Sequence, residues 1–199
     1  MPTSFPPSND YQQAIQNPSV RFTDPILKNC TVEKDLMGLP RVLSGNFALT
    51  YRLSRNGQSW AVRCFTRTAT EREERYAAIC QFLSAHPSRY FVQTRYIPQG
   101  ILVSGNWYPI TVMDWVVGKT LENYILDNLR DSTRLGQLPD SFVDVVNELA
   151  RLQVAHGDLS HRNILVKDHN LILVDYDGMY VPALRGKKSI ELGSQNFQH

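Results

Sequence analysis

The run His156-Gly157-Asp158-Leu159-Ser160-His161-Arg162-Asn163-Ile164-Leu165-Val166, followed by Leu171-Ile172-Leu173-Val174-Asp175-Tyr176-Asp177-Gly178, decides how this chain of 199 residues is read. A carboxylate, Asp158, and an amide, Asn163, stand five residues apart on one loop. Two short β-prone runs, Ile164 to Val166 and Leu171 to Val174, flank a turn at Asp168-His169-Asn170, and the second run ends in another carboxylate, Asp175. Asp and Asn are ordinary turn formers, and either alone means only a surface turn. In this order they form the set that phosphoryl transfer needs: one acid to orient and deprotonate a hydroxyl, and an amide plus an acid to hold magnesium against phosphates.

Outward from this core the chain divides by period. Residues 1–37, with Pro2, Pro6, Pro7, Pro18 and Pro25 between polar stretches, read as an extended arm with one helical turn near Tyr11 to Ile15, lying on something else. Arg41 to Leu43, Phe47 to Leu53 and Ser59 to Phe65 read as strands, with Asn56-Gly57 as a tight hairpin. Glu71 to Ala85 switches to helical spacing, with Tyr76, Ile79, Cys80 and Leu83 on one face. Tyr90 to Ile97 and Ile101 to Met113 read as two more strands, broken at Pro98-Gln99-Gly100 and Ser104-Gly105-Asn106. Leu121, Tyr124, Ile125 and Leu129 then make one helical stripe, and Phe142, Val145, Val146, Leu149 and Leu152 a second, with Pro139-Asp140-Ser141 as its start. The tail from Gly186 to His199 has no period. A β-rich part followed by a helix-rich part implies two lobes and a cleft.

These residues resemble the protein-kinase-like superfamily. His156-Gly157-Asp158 stands where such kinases have His-Arg-Asp, Asn163 matches the metal-ligand Asn, and Asp175-Tyr176-Asp177 stands at Asp-Phe-Gly. Upstream, Gly45-Asn46-Phe47-Ala48-Leu49-Thr50-Tyr51 resembles the glycine-rich loop and second strand. Trp60-Ala61-Val62-Arg63 resembles Val-Ala-Ile-Lys, and Val112 to Gly118 resembles the gatekeeper and hinge. Gly193 to His199 looks like the start of a substrate-facing loop, and the run from Tyr11 to His199 is similar to bacterial Ser/Thr-kinase-like domains. The resemblance implies an α+β, bilobal fold: an extension over 1–37, a five-stranded antiparallel N-lobe with one helix over 38–113, and the hinge and a partial, mainly helical C-lobe over 114–199. ATP and magnesium are the implied cofactors. Adenine would lie against Ala61 and the hinge at Asp114, Trp115 and Val116, with phosphates under Gly45 and beside Arg63. Asn163 and Asp175 would hold the metal, and Asp158 would orient the acceptor hydroxyl. Glu73, which shares the stripe of Tyr76 and Cys80 while Glu71 and Glu74 lie off it, is the acid expected to pair with Arg63.

Departures from the pattern bear on activity. Leu43 and Ala48 occupy the outer glycine positions, Arg63 stands for the usual lysine, and a planar guanidinium is bulkier than an ammonium. Gly157 leaves no catalytic-loop arginine for an activation-segment phosphate, so activity is expected not to depend on phosphorylating Asp177 to His199. Ser160 takes the place of the phosphate-binding lysine, with His161 or Arg162 as substitutes or as exposed loop residues. Asp177 is either a second metal acid or a turn former before Gly178. His156 reads as a structural residue under the loop. Trp60, Trp107 and Trp115 read as packing residues, with Trp115 placed by the resemblance beside a purine. Arg185 to Lys188 is a solvated loop or a guide for an acidic substrate.

Composition narrows the classes. With 42% hydrophobic and 20% charged residues the chain is that of a packed protein, and a formal charge of +2 argues against wholesale nucleic-acid binding. Cys30, Cys64 and Cys80 are widely spaced without a CxxC pair, which supports neither a disulfide framework nor a zinc site and fits a reducing compartment. With no signal-like start and no membrane-length apolar run, a soluble cytoplasmic location is expected, with a nucleotide and a protein substrate as partners. Three functions stay open: ATP- and magnesium-dependent transfer to Ser/Thr hydroxyls of a protein, a pseudokinase binding or scaffold module, and a small-molecule phosphotransferase of the aminoglycoside-kinase type. In the family resembled, helices that brace the catalytic loop follow the segment near Phe197 to His199. The chain is therefore expected to be the front part of a larger kinase-like domain that self-associates or relies on a missing C-terminal part.

Overall fold

The computed structural model describes residues 5–45, 48–66 and 70–189, without the side chains of Ser44, Thr70, Glu71 and Arg72. Asn46, Phe47, Gly193 to His199 and the side chain of Glu71, all named in the sequence reading, lie outside the described residues. The chain forms two compact units, one from Met1–Ala77 and Thr94–Trp115, the other from Ala78–Gln93 and Val116–His199.

The first unit is a six-stranded antiparallel sheet of β1 (Thr31–Val32), β2 (Val42–Ser44), β3 (Ala48–Arg55), β4 (Gln58–Phe65), β5 (Thr94–Val103) and β6 (Asn106–Asp114), in the order β1-β3-β4-β6-β5, with β2 also on β3. Asn56 and Gly57 both take positive φ, 49° and 80°, which is the two-residue hairpin turn that Asn-Gly favours. The helix read over Glu71 to Ala85 is α3 (Thr70–Ala85); Tyr76 packs with Ala48 and Phe65 in the first unit. The unit boundary crosses α3 after Ala77.

Three expectations change here. The arm does lie on another part of the chain, the sheet, but it is helical instead of extended: α1 (Ser8–Ala14), α2 (Pro18–Arg21) and a 3-10 turn at Leu27–Asn29 put Tyr11, Ile15, Phe22 and Leu27 into the same core as Tyr51, Val62, Ile101 and Ile110. Pro18 opens α2, where a missing N–H is harmless. Asp24 caps the 3-10 turn, its Oδ1 accepting from the N–H of Ile26 (2.8 Å) and Leu27 (3.0 Å) while Oδ2 pairs with Arg95 (2.6 Å). Second, the arm adds β1, a sixth strand beyond the five expected. Third, Pro98-Gln99-Gly100 does not break the strand. It is an irregularity inside β5, an edge strand where a missing Pro donor is tolerated, and the arm covers it: Thr23 N–H donates to Gly100 O (3.1 Å) and Thr23 Oγ1 to Gln99 O (2.8 Å). Only glycine fits at 100, because a Cβ there would come within 2.2 Å of the Ile110 side chain.

The second unit contains α4 (Leu121–Asp127), α5 (Ser132–Gly136), α6 (Leu138–Leu152) and a three-stranded sheet of β7 (Lys119–Thr120), β8 (Ile164–Lys167) and β9 (Asn170–Leu173). The β8–β9 hairpin turns where the sequence reading put it, with Asp168 and His169 both at positive φ. Of the two stripes, α6 buries Val145, Leu149 and Leu152 and leaves Val146 exposed, whereas α4 buries no side chain fully and Leu129 lies beyond its end, exposed. The helix α6 stops at Gln153 in the left-handed region, with Val154 N–H donating back to Leu149 O (3.0 Å), and this delivers the chain into the loop that follows.

Two substitutions test this packing. Leu27→Ala is expected to destabilise the protein by about 2–5 kcal/mol, as for a core leucine, whereas a residue of a loosely laid arm would change it by less than about 0.5 kcal/mol. Gly100→Ala is expected to lose about 1–3 kcal/mol through overpacking against Ile110. Urea midpoints measure both, and a Leu27→Ala midpoint equal to wild type would show that the arm is not core.

Candidate active site

The loop of residues 155–163 is held by backbone before any side chain acts. Ala155 and Tyr180 exchange N–H···O bonds at 3.2 and 2.8 Å, Asn163 N–H donates to Ser160 O (3.0 Å), and Val174 N–H donates to Asn163 O (2.9 Å). His156, 1% exposed, donates from Nε2 to Val174 O at 3.0 Å, so it is the buried structural residue expected of it. Ser160 is buried as well, while His161 reaches Glu122 of α4 at 3.3 Å and Arg162 is exposed.

On this frame Asp158 and Asn163 meet. The Asn163 amide donates from Nδ2 to Asp158 Oδ2 (2.8 Å) and to Asp158 O (3.1 Å), which orients the carboxylate and the amide together. Both Nδ2 contacts are acceptors, so the amide oxygen faces away from them, and it makes no hydrogen bond among the described residues. Asp175 follows β9 with an exposed side chain and a φ of +65°, a left-handed conformation uncommon for a non-glycine residue and concentrated at functional sites. An amide oxygen and carboxylates are hard donors of the kind magnesium takes. Among the described residues no group of three or more His, Cys, Asp and Glu side chains forms a cage. Asp177 is buried and sits in a turn closed by Met179 N–H donating to Tyr176 O (3.0 Å).

The other residues expected at the site, apart from Val116 of the second unit, belong to the first unit. Ala61 and Arg63 are buried in β4 opposite Met113 and Thr111 of β6, Gly45 follows β2 and is exposed, and Glu73 is half-buried in the first turns of α3. Asp114 ends β6, and Trp115 N–H donates to Ser59 O (2.9 Å). The Arg52 guanidinium stacks over the Trp115 ring at 5.1 Å, and Glu33 of the arm pairs with Arg52 (3.4 Å) and Arg41 (3.0 Å). Sequence reasoning did not single out Arg52 or Glu33: a charge on strand β3 looks like any solvated face, and Glu33 follows the two-residue β1. It also missed β7, a two-residue strand too short to carry a period.

Residues 89–183 match the RIO domain family, an atypical protein-kinase-like family that binds ATP with a divalent metal and transfers phosphoryl groups. The match takes in 95 of the 199 residues, including the loop of Asp158 and Asn163 and the segment of Asp175. Over this stretch the chain is similar to a kinase-like family, and its fold is α+β, as a kinase-like fold is. No curated protein matches the chain. Among the described residues no helix is long and apolar enough to cross a membrane, and Cys30, Cys64 and Cys80 are buried free thiols.

Burial holds the imidazole of His156 below its ordinary range, so it is neutral in the folded protein. The unfolded chain, with an ordinary imidazole near pH 6.5, binds more protons in mild acid, so this contribution to stability is complete above about pH 6.5 and is lost as pH falls toward the lower folded value. The urea midpoint is expected to drop between pH 7.5 and 5.5 in wild type and to drop less in His156→Gln. Parallel pH profiles for the two proteins would refute the assignment.

Proposed function

We propose that the chain is an ATP- and magnesium-dependent phosphotransferase acting on Ser/Thr hydroxyls of a protein, with Asp158 as the residue that orients and deprotonates the acceptor. The observation that carries this reading is the Asp158–Asn163 pair: one amide fixes the carboxylate through Nδ2 and keeps its oxygen for a cation. Asp175 would complete the metal set, and magnesium bound there neutralises charge on the phosphates and leaves them open to attack. Asp158 then needs only to hold the acceptor O–H within hydrogen-bond reach and take its proton as the new P–O bond forms. Gly45, Ala61, Asp114, Trp115 and Val116 would receive the nucleotide, and Arg63, with Glu73 as its partner, would take the place of the phosphate-binding lysine. The preference for a protein acceptor comes from the resemblance at Gly193 to His199. A nucleotide-binding module without transfer is the second reading, favoured by the arginine at 63, which is buried at 7% exposure where a lysine is usual.

Two variants separate these readings. Asp158→Asn is expected to keep magnesium-dependent ATP binding and to lose about 10²–10⁴-fold in transfer to protein hydroxyls. Asp175→Asn is expected to weaken ATP binding in magnesium by about 10–100-fold, with binding in EDTA unchanged. Calorimetry and labelled-phosphate transfer measure the two effects. Equal affinities in magnesium for wild type and Asp175→Asn would remove the metal assignment, and wild-type binding without transfer would establish the second reading.

A further inference from the structure

We infer that Tyr176 is a positioning residue: its hydroxyl ties the Asp175 segment to residues 88–93, while a backbone contact between Gly157 and Gly178 sets the same segment against the loop of Asp158 and Asn163, and the two together latch it in one arrangement. The consequence for the metal rests on the phosphotransferase reading; the latch itself does not.

Tyr176 stands beside Asp175 and is 2% exposed. Its hydroxyl donates to Leu173 O (2.7 Å) and accepts from Val92 N–H (2.8 Å), while Phe91 and His156 meet the ring edge to face. A phenylalanine at this place could pack the same ring but could make neither bond. Leu173 is itself tied to the same segment, its N–H donating to Tyr90 O (2.8 Å). The residue after Asp175 therefore cannot turn away without breaking both bonds, each worth about 0.5–1.5 kcal/mol net, although the parallel bridge between Phe91 and Leu173 still joins the two segments. Burial also pushes the phenol far above its ordinary range, so the hydroxyl keeps the proton it donates.

The second half of the latch is backbone. Gly157 has φ +83°, and a Cβ built on it would lie 2.1 Å from Gly178 O, a backbone atom. Gly157 thus does more than omit an arginine, because the space that any side chain would need is occupied by the turn after Asp175. The contact is one-sided: a Cβ on Gly178 would meet Gly157 no closer than 3.5 Å, an ordinary separation. The Ala155–Tyr180 pair, the His156–Val174 bond and the glycine contact join the loop of Asp158 and Asn163 to the strand end that carries Asp175, and the hydroxyl anchors that strand end to residues 88–93. Metal and acceptor groups are thereby preset, with no phosphate required to draw the two segments together.

Hydrogen exchange on the whole chain tests the latch, and a magnesium titration of ATP binding tests its consequence. In Tyr176→Phe, peptides covering 88–93 and 155–180 are expected to exchange at least tenfold faster while those of β3, β4 and β6 stay at wild-type rates. The magnesium concentration for half-maximal ATP binding is expected to rise about tenfold. Gly157→Ala is expected to act like Tyr176→Phe, and Gly178→Ala like wild type. If Gly157→Ala does not fold while Gly178→Ala does, the one-sided contact is supported. Wild-type exchange throughout 88–93 and 155–180 in folded Tyr176→Phe would overturn the latch, and equal effects of the two glycine variants would overturn the backbone contact. If the exchange pattern appears but wild type binds no ATP in magnesium, the phosphotransferase reading fails and the latch stands.

Discussion

Backbone pairing between residues 155–163 and 174–180 is the constraint on which the arrangement of the second unit depends. The left-handed turn at Asp175, the orientation of Asn163 by Asp158 and the burial of His156 all presuppose that these segments already lie side by side. A single hydrogen bond contributes on the order of 1 kcal/mol net, so none of them fixes the geometry alone. What fixes it is that the bonds share atoms and neighbours: Val174 offers its N–H to Asn163 and its carbonyl to His156, so shifting one segment breaks several contacts at once. An uncommon backbone conformation persists where its surroundings over-determine it, and the Asp175 turn meets that condition.

The first unit solves a different problem. Its central strand, β4, carries Ala61 and Arg63 buried between β3 and β6, and one edge of the sheet, β5, contains a proline and a bulge that leave backbone groups without strand partners. The N-terminal arm covers this weak point through Thr23 and Phe22, and supplies β1 at the opposite edge. Exposed edges invite unwanted pairing, and here a segment of the same chain covers the irregular part of β5 and adds only a two-residue strand at the other edge. Through Glu33 and Arg52 the arm also reaches Trp115, the last residue of the unit, so it bears on a position expected to receive nucleotide.

Much of this was legible in residue order because the relevant signals are local. The Asn56-Gly57 hairpin, the Asp168-His169-Asn170 turn, the helical face of Tyr76, Ile79, Cys80 and Leu83, and the Asp158, Asn163 and Asp175 spacing each rest on a few neighbouring residues whose conformational preferences or chemistry are strong. The arm was misread because proline density signals an irregular chain unless one knows that a neighbouring sheet will bury the apolar residues between the prolines. The break at Pro98-Gln99-Gly100 was misread for the related reason that an edge strand tolerates what an interior strand does not, and edge position is not written in the strand itself.

The sequence alone determined the α+β, kinase-like fold class and the place of the loop that carries Asp158 and Asn163 ahead of the β8–β9 hairpin, since both follow from short-range pattern. Only the tertiary structure decided that the arm belongs to the core, that Gly157 faces the carbonyl of Gly178 and that the Tyr176 hydroxyl bridges Val92 and Leu173. Each of these joins residues at least 21 positions apart, apart from the short Tyr176–Leu173 bond. Such contacts depend on where the folded chain brings backbone atoms within ångströms of one another, a quantity that no local preference encodes.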